Sequence, residues 1–163
     1  MSTGRSRSLL DAEYVALAEF RYQLRHFSRN MEEQVRKLGV NPQQYQVVLA
    51  VRGLPAGHTP SISRLAERMQ LNHNSMVELV DRCEQGGLLR RTRSATDRRQ
   101  VTLAITAQGE ALLRKLGAAA REELRERGPS LVKAVLRLTR PAHRTRRKPG
   151  GNPRKGASTR TDS

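Results

Sequence analysis

Apolar and polar positions follow two different rhythms along this chain. From Leu10 a heptad stripe runs through Leu17, Leu24, Met31 and Leu38, with Phe20 and Phe27 three residues beyond Leu17 and Leu24 in the second seam position. No Pro or Gly interrupts it before Gly39. The pattern predicts one helix over residues 9–38, roughly 45 Å long at ~1.5 Å per residue. A small monomer buries only part of so long a stripe, so part of it is expected to form a subunit interface, with Leu10, Tyr14 and Leu17 as candidates.

Asn41-Pro42, with Gln44 at the capping-box position, predicts the start of a second helix carrying Tyr45, Val48, Leu49 and Val51. It ends at the turn-rich Gly53-Leu54-Pro55-Ala56-Gly57. Ser61 caps a short helix over 62–69 with Leu65, Ala66 and Met69 on its inner face. After the brief Gln70-Leu71-Asn72 turn, with Leu71 as a buried plug, Asn72 caps a helix over 73–86. Its apolar positions Met76, Leu79, Val80 and Cys83 are spaced for one face, and Gly86-Gly87 stops it.

The period then changes to two. Val101, Leu103 and Ile105 alternate with Gln100, Thr102 and Ala104, and residues 90–93 can pair with them across a loop at 94–98, giving a β-hairpin. Thr106 caps a helix over about 107–127 bearing Ala111, Leu112, Leu116, Ala119, Ala120 and Leu124. Gly128-Pro129 is expected to break it, and Ser130 to start a short last helix with Leu131, Ala134, Val135 and Leu138. Leu131, Val135 and Leu138 complete the candidate dimerisation set. The fold class is therefore mainly α with a small β-hairpin: a winged helix-turn-helix at 42–105 between long N- and C-terminal dimerisation helices, 9–38 and 107–139.

Charge narrows the list of partners. The formal net charge is +16, which favours a polyanion. The first helix does not supply it, since residues 9–38 hold five acids and five bases. Residues 90–99 hold five Arg against Asp97 alone, and the last 24 residues hold eight Arg or Lys against one acid, with no Leu, Ile, Val or aromatic residue. Residues 140–163 are thus expected to be a disordered basic tail and residues 1–8 a disordered start. All five aromatic residues precede position 46, leaving no stacking platform in the basic part of the chain; this argues against single-strand or RNA reading.

A helix about 12 Å across fits the major groove of duplex DNA, and a packed partner helix fixes its angle. The outer face of 73–86 presents His73, Asn74, Val77, Glu78, Asp81 and Arg82. Asn74 suits an adenine edge, Arg82 guanine or phosphate, Val77 a thymine methyl, and Glu78 a cytosine amino group or a neighbouring Arg. Arginines on a hairpin tip suit the narrow minor groove. The candidate DNA-contacting set is Ser61, Asn72, His73, Asn74, Ser75, Val77, Glu78, Arg82, Arg91, Arg93, Asp97, Arg98 and Arg99.

The runs Leu65-Ala66-Glu67-Arg68, Leu79-Val80-Asp81-Arg82, Gly87-Leu88-Leu89-Arg90-Arg91, Asp97-Arg98-Arg99-Gln100-Val101-Thr102-Leu103 and Thr106-Ala107-Gln108-Gly109 together resemble the multiple-antibiotic-resistance regulator (MarR) family over residues 10–139. The resemblance implies a homodimer assembled from the first and last helices on pseudo-palindromic double-stranded DNA. It also implies a wing arginine, Arg98 or Arg99, in the minor groove, with Asp97 steadying the wing, and release by a small aromatic or phenolic effector or by cysteine oxidation. The chain departs from the family pattern at Val77 and Glu78, in lacking a cysteine near the N-terminus, in its short last helix, and in its basic tail.

Other chemistry is thinly represented. Cys83, the single cysteine, sits at an apolar helical position and reads as core rather than sensor. His26, His58, His73 and His143 form no metal-ligand spacing, and no catalytic pattern or cofactor motif stands out, so neither an enzyme nor a cofactor is expected. No stretch approaches the ~20 apolar residues of a membrane span, no signal peptide is visible, and a cytoplasmic location is expected. The rival readings are a nonspecific architectural DNA-binding protein and a winged-helix protein-interaction module.

Overall fold

Helix starts along the chain coincide with side chains able to satisfy orphan amides. In the computed structural model, which describes residues 11–93 and 101–139, Asn41 accepts from Gln43 N at 2.8 Å while Gln44 Oε1 accepts from Asn41 N at 3.2 Å. This reciprocal cap, with Pro42 at the first position, starts α2 (Pro42–Arg52). Ser61 accepts from Arg64 N at 3.3 Å to start α3 (Ile62–Met69), and Asn72 from Ser75 N at 2.8 Å to start α4 (His73–Gln85). Each such cap contributes about 1 kcal/mol. The first helix, α1, spans Asp11–Lys37; β1 (Leu89–Arg93), β2 (Val101–Ile105) and α5 (Ala107–Thr139) complete the order.

The strands pair antiparallel, Leu89 opposite Ile105 and Arg93 opposite Val101, with the Thr92 and Thr102 hydroxyls 2.8 Å apart across the ladder. Leu103 N also donates to Pro60 O at 2.9 Å, so the segment before α3 is tied to β2. The core gathers Val35 of α1, Val47 and Val48 of α2, Leu65 of α3, Met76 and Val80 of α4, Leu88 and Leu89 at the hairpin base, and Leu116 of α5, all essentially sealed from solvent.

The structure differs from the sequence pattern in two places and divides it in a third. Gly128-Pro129 does not break the last helix: α5 runs through Pro129 to Thr139. A proline inside a helix loses one hydrogen bond and costs about 3 kcal/mol, but α5 lies along α1 on both sides of it, with Glu123 before and Ala134 after both buried. Second, the heptad stripe of α1 divides, with Met31 in the core and Phe27 and Leu38 packed against it. Ala16, Gln23, Met31 and Val35 are buried, whereas Leu17 and Leu24 stay 37% and 40% exposed; the period of 3.6 rather than 3.5 rotates the inner face away from the early leucines. Third, α2 buries Val47 and leaves Leu49 exposed, because the helix is covered on the Tyr45–Val48 side. Similarly, Ala111 and Leu124 of α5 are exposed.

The seam between α1 and α5 is partly polar. Glu123, buried, accepts from Asn30 Nδ2 of α1 and from Arg127 Nε at 2.6 Å. Leu10, the residues before it, the segment 94–100 between β1 and β2, and the segment 140–163, on which several expectations fall, lie outside the described residues.

Candidate nucleic-acid interface

The site is built outward from the packed face of α4. Met76, Leu79, Val80 and Cys83 are buried, which leaves His73, Asn74, Glu78 and Arg82 exposed on the opposite side, with Ser75, Val77 and Asp81 half-buried at its margins. The angle of α4 is set by the turn before it. Gln70 takes the left-handed conformation at φ 55° to cap α3, Leu71 N donates to Ala66 O at 2.9 Å, and the half-buried Leu71 side chain packs on the core. At the far end Gln44 Nε2 donates to Arg82 O at 2.7 Å and Gly86 closes the helix, so α2 grips the α4 C-terminus.

Asn72 and Ser61 are both consumed as helix caps through their side-chain oxygens, Asn72 exposed and Ser61 half-buried. Arg91 has a role that side-chain type alone did not suggest. Its guanidinium lies 2.7 Å from Asp81 Oδ1 and also bonds Glu84 Oε2, while its backbone N donates to Glu84 Oε1 at 2.6 Å. Burial opposes the charge on Arg91, but Asp81 and Glu84 more than offset it and raise its pKa. The residue therefore braces the hairpin against the helix. Arg90 and Arg93 on the same strand are exposed. Asp97, Arg98 and Arg99 lie outside the described residues.

Thr106 caps α5 as its position predicts, and the same hydroxyl joins the helix to the base of the hairpin. Thr106 Oγ1 donates to Gly87 O at 2.5 Å and accepts from Gly109 N at 3.1 Å. Gly109 is buried where a Cβ would collide with Leu88 O and approach Ile105 Cγ2 to 2.7 Å. Arg52 of α2 pairs with Glu110 at 3.3 Å beside it.

Cys83 donates weakly to Gln44 O at 3.8 Å, and burial pushes its thiol up to about 12. It is a protonated core side chain at neutral pH. Among the described residues no group of His, Cys, Asp and Glu could hold a metal ion, and no helix is long and apolar enough to cross a membrane.

Two short helices at a fixed angle, the second with an exposed polar face, followed by a two-stranded hairpin, define a winged helix-turn-helix domain. Residues 38–100 match the model of the MarR family. It is 32% identical over 80 residues to the HTH-type transcriptional repressor MdtR of Bacillus subtilis (strain 168), an alignment covering 49% of this chain and 50% of MdtR. The chain thus matches about half the length of the curated relatives it resembles. In fold it is similar to AbsC, a MarR family transcriptional regulator from Streptomyces coelicolor (TM-score 0.61, 21% identity, 77% of this chain and 84% of AbsC). It is likewise similar to the S. aureus MepR F27L mutant bound to an oligodeoxyribonucleotide (TM-score 0.56, 19% identity, 76% and 92%).

Proposed function

We propose that this chain is a sequence-specific, duplex-DNA-binding transcription regulator, a repressor that acts as a homodimer and is released by a small effector of the aromatic or phenolic kind. The observation that carries the reading is the exposed α4 face, His73, Asn74, Glu78 and Arg82, held beside an arginine-bearing hairpin by the Arg91 brace. The groove-facing set is His73, Asn74, Ser75, Val77, Glu78 and Arg82, with Arg93 and the tip residues Asp97, Arg98 and Arg99 on the wing. Ser61 and Asn72 bring helix N-terminal amides to phosphates. MdtR's standing as a repressor and the oligonucleotide bound to MepR support the same assignment.

Dimerisation is assigned to α1 and α5. Tyr14, Leu17 and Val135 are exposed, Leu131 and Leu138 half-buried, and Val15, Val132 and Leu136 add apolar surface beside them. Exposed apolar side chains on two helices that pack together suit a subunit interface. Leu10 extends the same stripe in sequence. Two half-sites one helical turn apart would then match the twofold axis of the dimer on a pseudo-palindromic operator. The protein works where the chromosome is, in the cytoplasm, and our reading assigns it no reaction.

Competition binding at roughly 150 mM salt tests the proposal, because specific complexes typically exceed nonspecific ones by ~10³-fold or more there. The protein should retain a DNA fragment from its own promoter region against excess unrelated duplex, and Arg98→Ala with Arg99→Ala should abolish that preference. Equal competition by any duplex would make the protein an architectural DNA binder. Intact function in the double variant would make it a protein-interaction module.

A further inference from the structure

A second basic feature lies away from the exposed face of α4. A cavity of about 280 Å³ opens between the segment after α2 and the outer face of α3, lined by Leu54, Pro55 and His58 on one wall and Arg64, Glu67 and Arg68 on the other. The first wall is a formed turn: His58 N donates to Pro55 O at 3.2 Å, and Gly57 takes φ +83°, a conformation that favours glycine. In the second wall, Arg64 and Arg68 stand one helical turn apart on one face. Arg68 Nη2 reaches back to Gly53 O at 3.4 Å, which ties its guanidinium to the end of α2 at the cavity wall. The ion-pair partner of Arg64 is Glu67, at 3.9 Å and on an exposed carboxylate, so most of its donors are uncommitted.

We propose that this cavity is an oxyanion site, taking a carboxylate or phosphate group with a small apolar body. Two guanidinium groups and an imidazole against one carboxylate leave an excess of positive charge and of N–H donors. Planar guanidinium forks suit a two-oxygen anion. Leu54 and Pro55 provide an apolar surface for a short hydrocarbon portion. The volume sits just below the ~300–1,000 Å³ typical of small-molecule pockets, so the occupant is small. None of the lining residues belongs to α4 or to the hairpin, so the site does not depend on the DNA-reading assignment. The anion has two available sources, a free organic acid or a phosphodiester of bound duplex.

The test is a titration of the full chain, followed by NMR at the His58 ring and the amides of residues 54–58. The probes are isobutyrate, its neutral isostere isobutyramide, and inorganic phosphate. A fragment this small binds with a dissociation constant on the order of a millimolar. The expected result is saturable movement of those resonances with isobutyrate or phosphate, about tenfold weaker binding of isobutyramide, and about tenfold weaker anion binding in Arg64→Gln. Arg64→Gln removes only a contact to an exposed carboxylate, so the variant should fold, and an unchanged thermal midpoint checks this. Adding duplex DNA separates the sources. If duplex moves the same resonances and free anion competes, the site takes a backbone phosphate; if duplex leaves them in place, it takes a free acid. Non-saturating shifts shared by all exposed arginines would mean an adventitious ion only and overturn the proposal, as would equal binding of isobutyramide.

Discussion

Arg91 Nη2 lies 2.7 Å from Asp81 Oδ1, which ties a strand of the hairpin to α4, the helix with the exposed polar face. The pair is only part-buried, so its direct contribution to stability is modest, about 1 kcal/mol or less. Its larger consequence is electrostatic. Without Arg91, Asp81 and Glu84 present unneutralised charge next to any bound phosphates.

Arg91→Ala should therefore weaken operator binding by roughly tenfold while leaving the slope of log affinity against log salt unchanged. A true phosphate contact would instead lower that slope by about one per residue removed. Adding Asp81→Asn should recover part of the loss. A fall in slope for Arg91→Ala, with no recovery in the double variant, would place Arg91 on the DNA backbone.

Much of the architecture was readable before the structure because local chemistry decides it. Asn41, Ser61 and Asn72 start helices wherever they precede an apolar period, and Met76, Leu79, Val80 and Cys83 fall on one face by spacing alone. Features decided by tertiary packing were not readable. Pro129 is a helix breaker in isolation and is overridden by packing along α1. Where the α1 stripe divides between core and surface was not readable either: Met31 is buried, Leu17 and Leu24 are exposed, and Asn30 makes the contact to Glu123 of α5. For the site, the exposed face of α4 followed from its apolar face. The brace did not, because an arginine on a basic hairpin looks the same in sequence whether it meets phosphate or carboxylate.

Gly109 and Gly117 on α5 should respond oppositely to the same substitution. A Cβ on Gly109 would run into the Leu88 carbonyl, a backbone atom that cannot turn aside, whereas at Gly117 nothing lies within 4 Å. Gly109→Ala should destabilise by about 2–3 kcal/mol through overpacking, and Gly117→Ala should stabilise by about 0.5–1 kcal/mol through helix propensity. Thermal midpoints at fixed protein concentration read both. A neutral Gly109→Ala would mean that the α5–hairpin joint is looser than the structure describes.

Cys83 makes stability depend on alkaline pH in a definite direction. Its ordinary value is 9.0, and in the fold it is pushed up to about 12 by burial. Above pH 9 the unfolded chain releases this proton while the native chain keeps it. The stabilisation present below 9 is therefore lost progressively as pH rises towards 12. Chemical denaturation of the wild type should show a steeper loss over that window than Cys83→Ala does. By the same logic, a disulfide-exchange reagent at pH 8 should label the native thiol only at the rate of opening, and peroxide should leave DNA binding unchanged. Fast labelling of folded protein would show an accessible thiolate.

The proposed subunit interface gives the last prediction. Leu17 is 37% exposed on α1 and Val135 36% exposed on α5. In a monomer, glutamate at either position would stand in water and change stability by no more than about 0.5 kcal/mol. At an apolar interface the same carboxylate loses its hydration without gaining a partner, at a cost of several kcal/mol. Leu17→Glu and Val135→Glu should therefore keep native helicity and sediment as monomers at concentrations where the wild type is a dimer. Operator affinity should fall by about 10²-fold or more, because the two half-sites no longer share one ligand. Wild-type protein that sediments as a monomer, or glutamate variants that remain dimeric with full affinity, would place the dimer contact elsewhere or remove it.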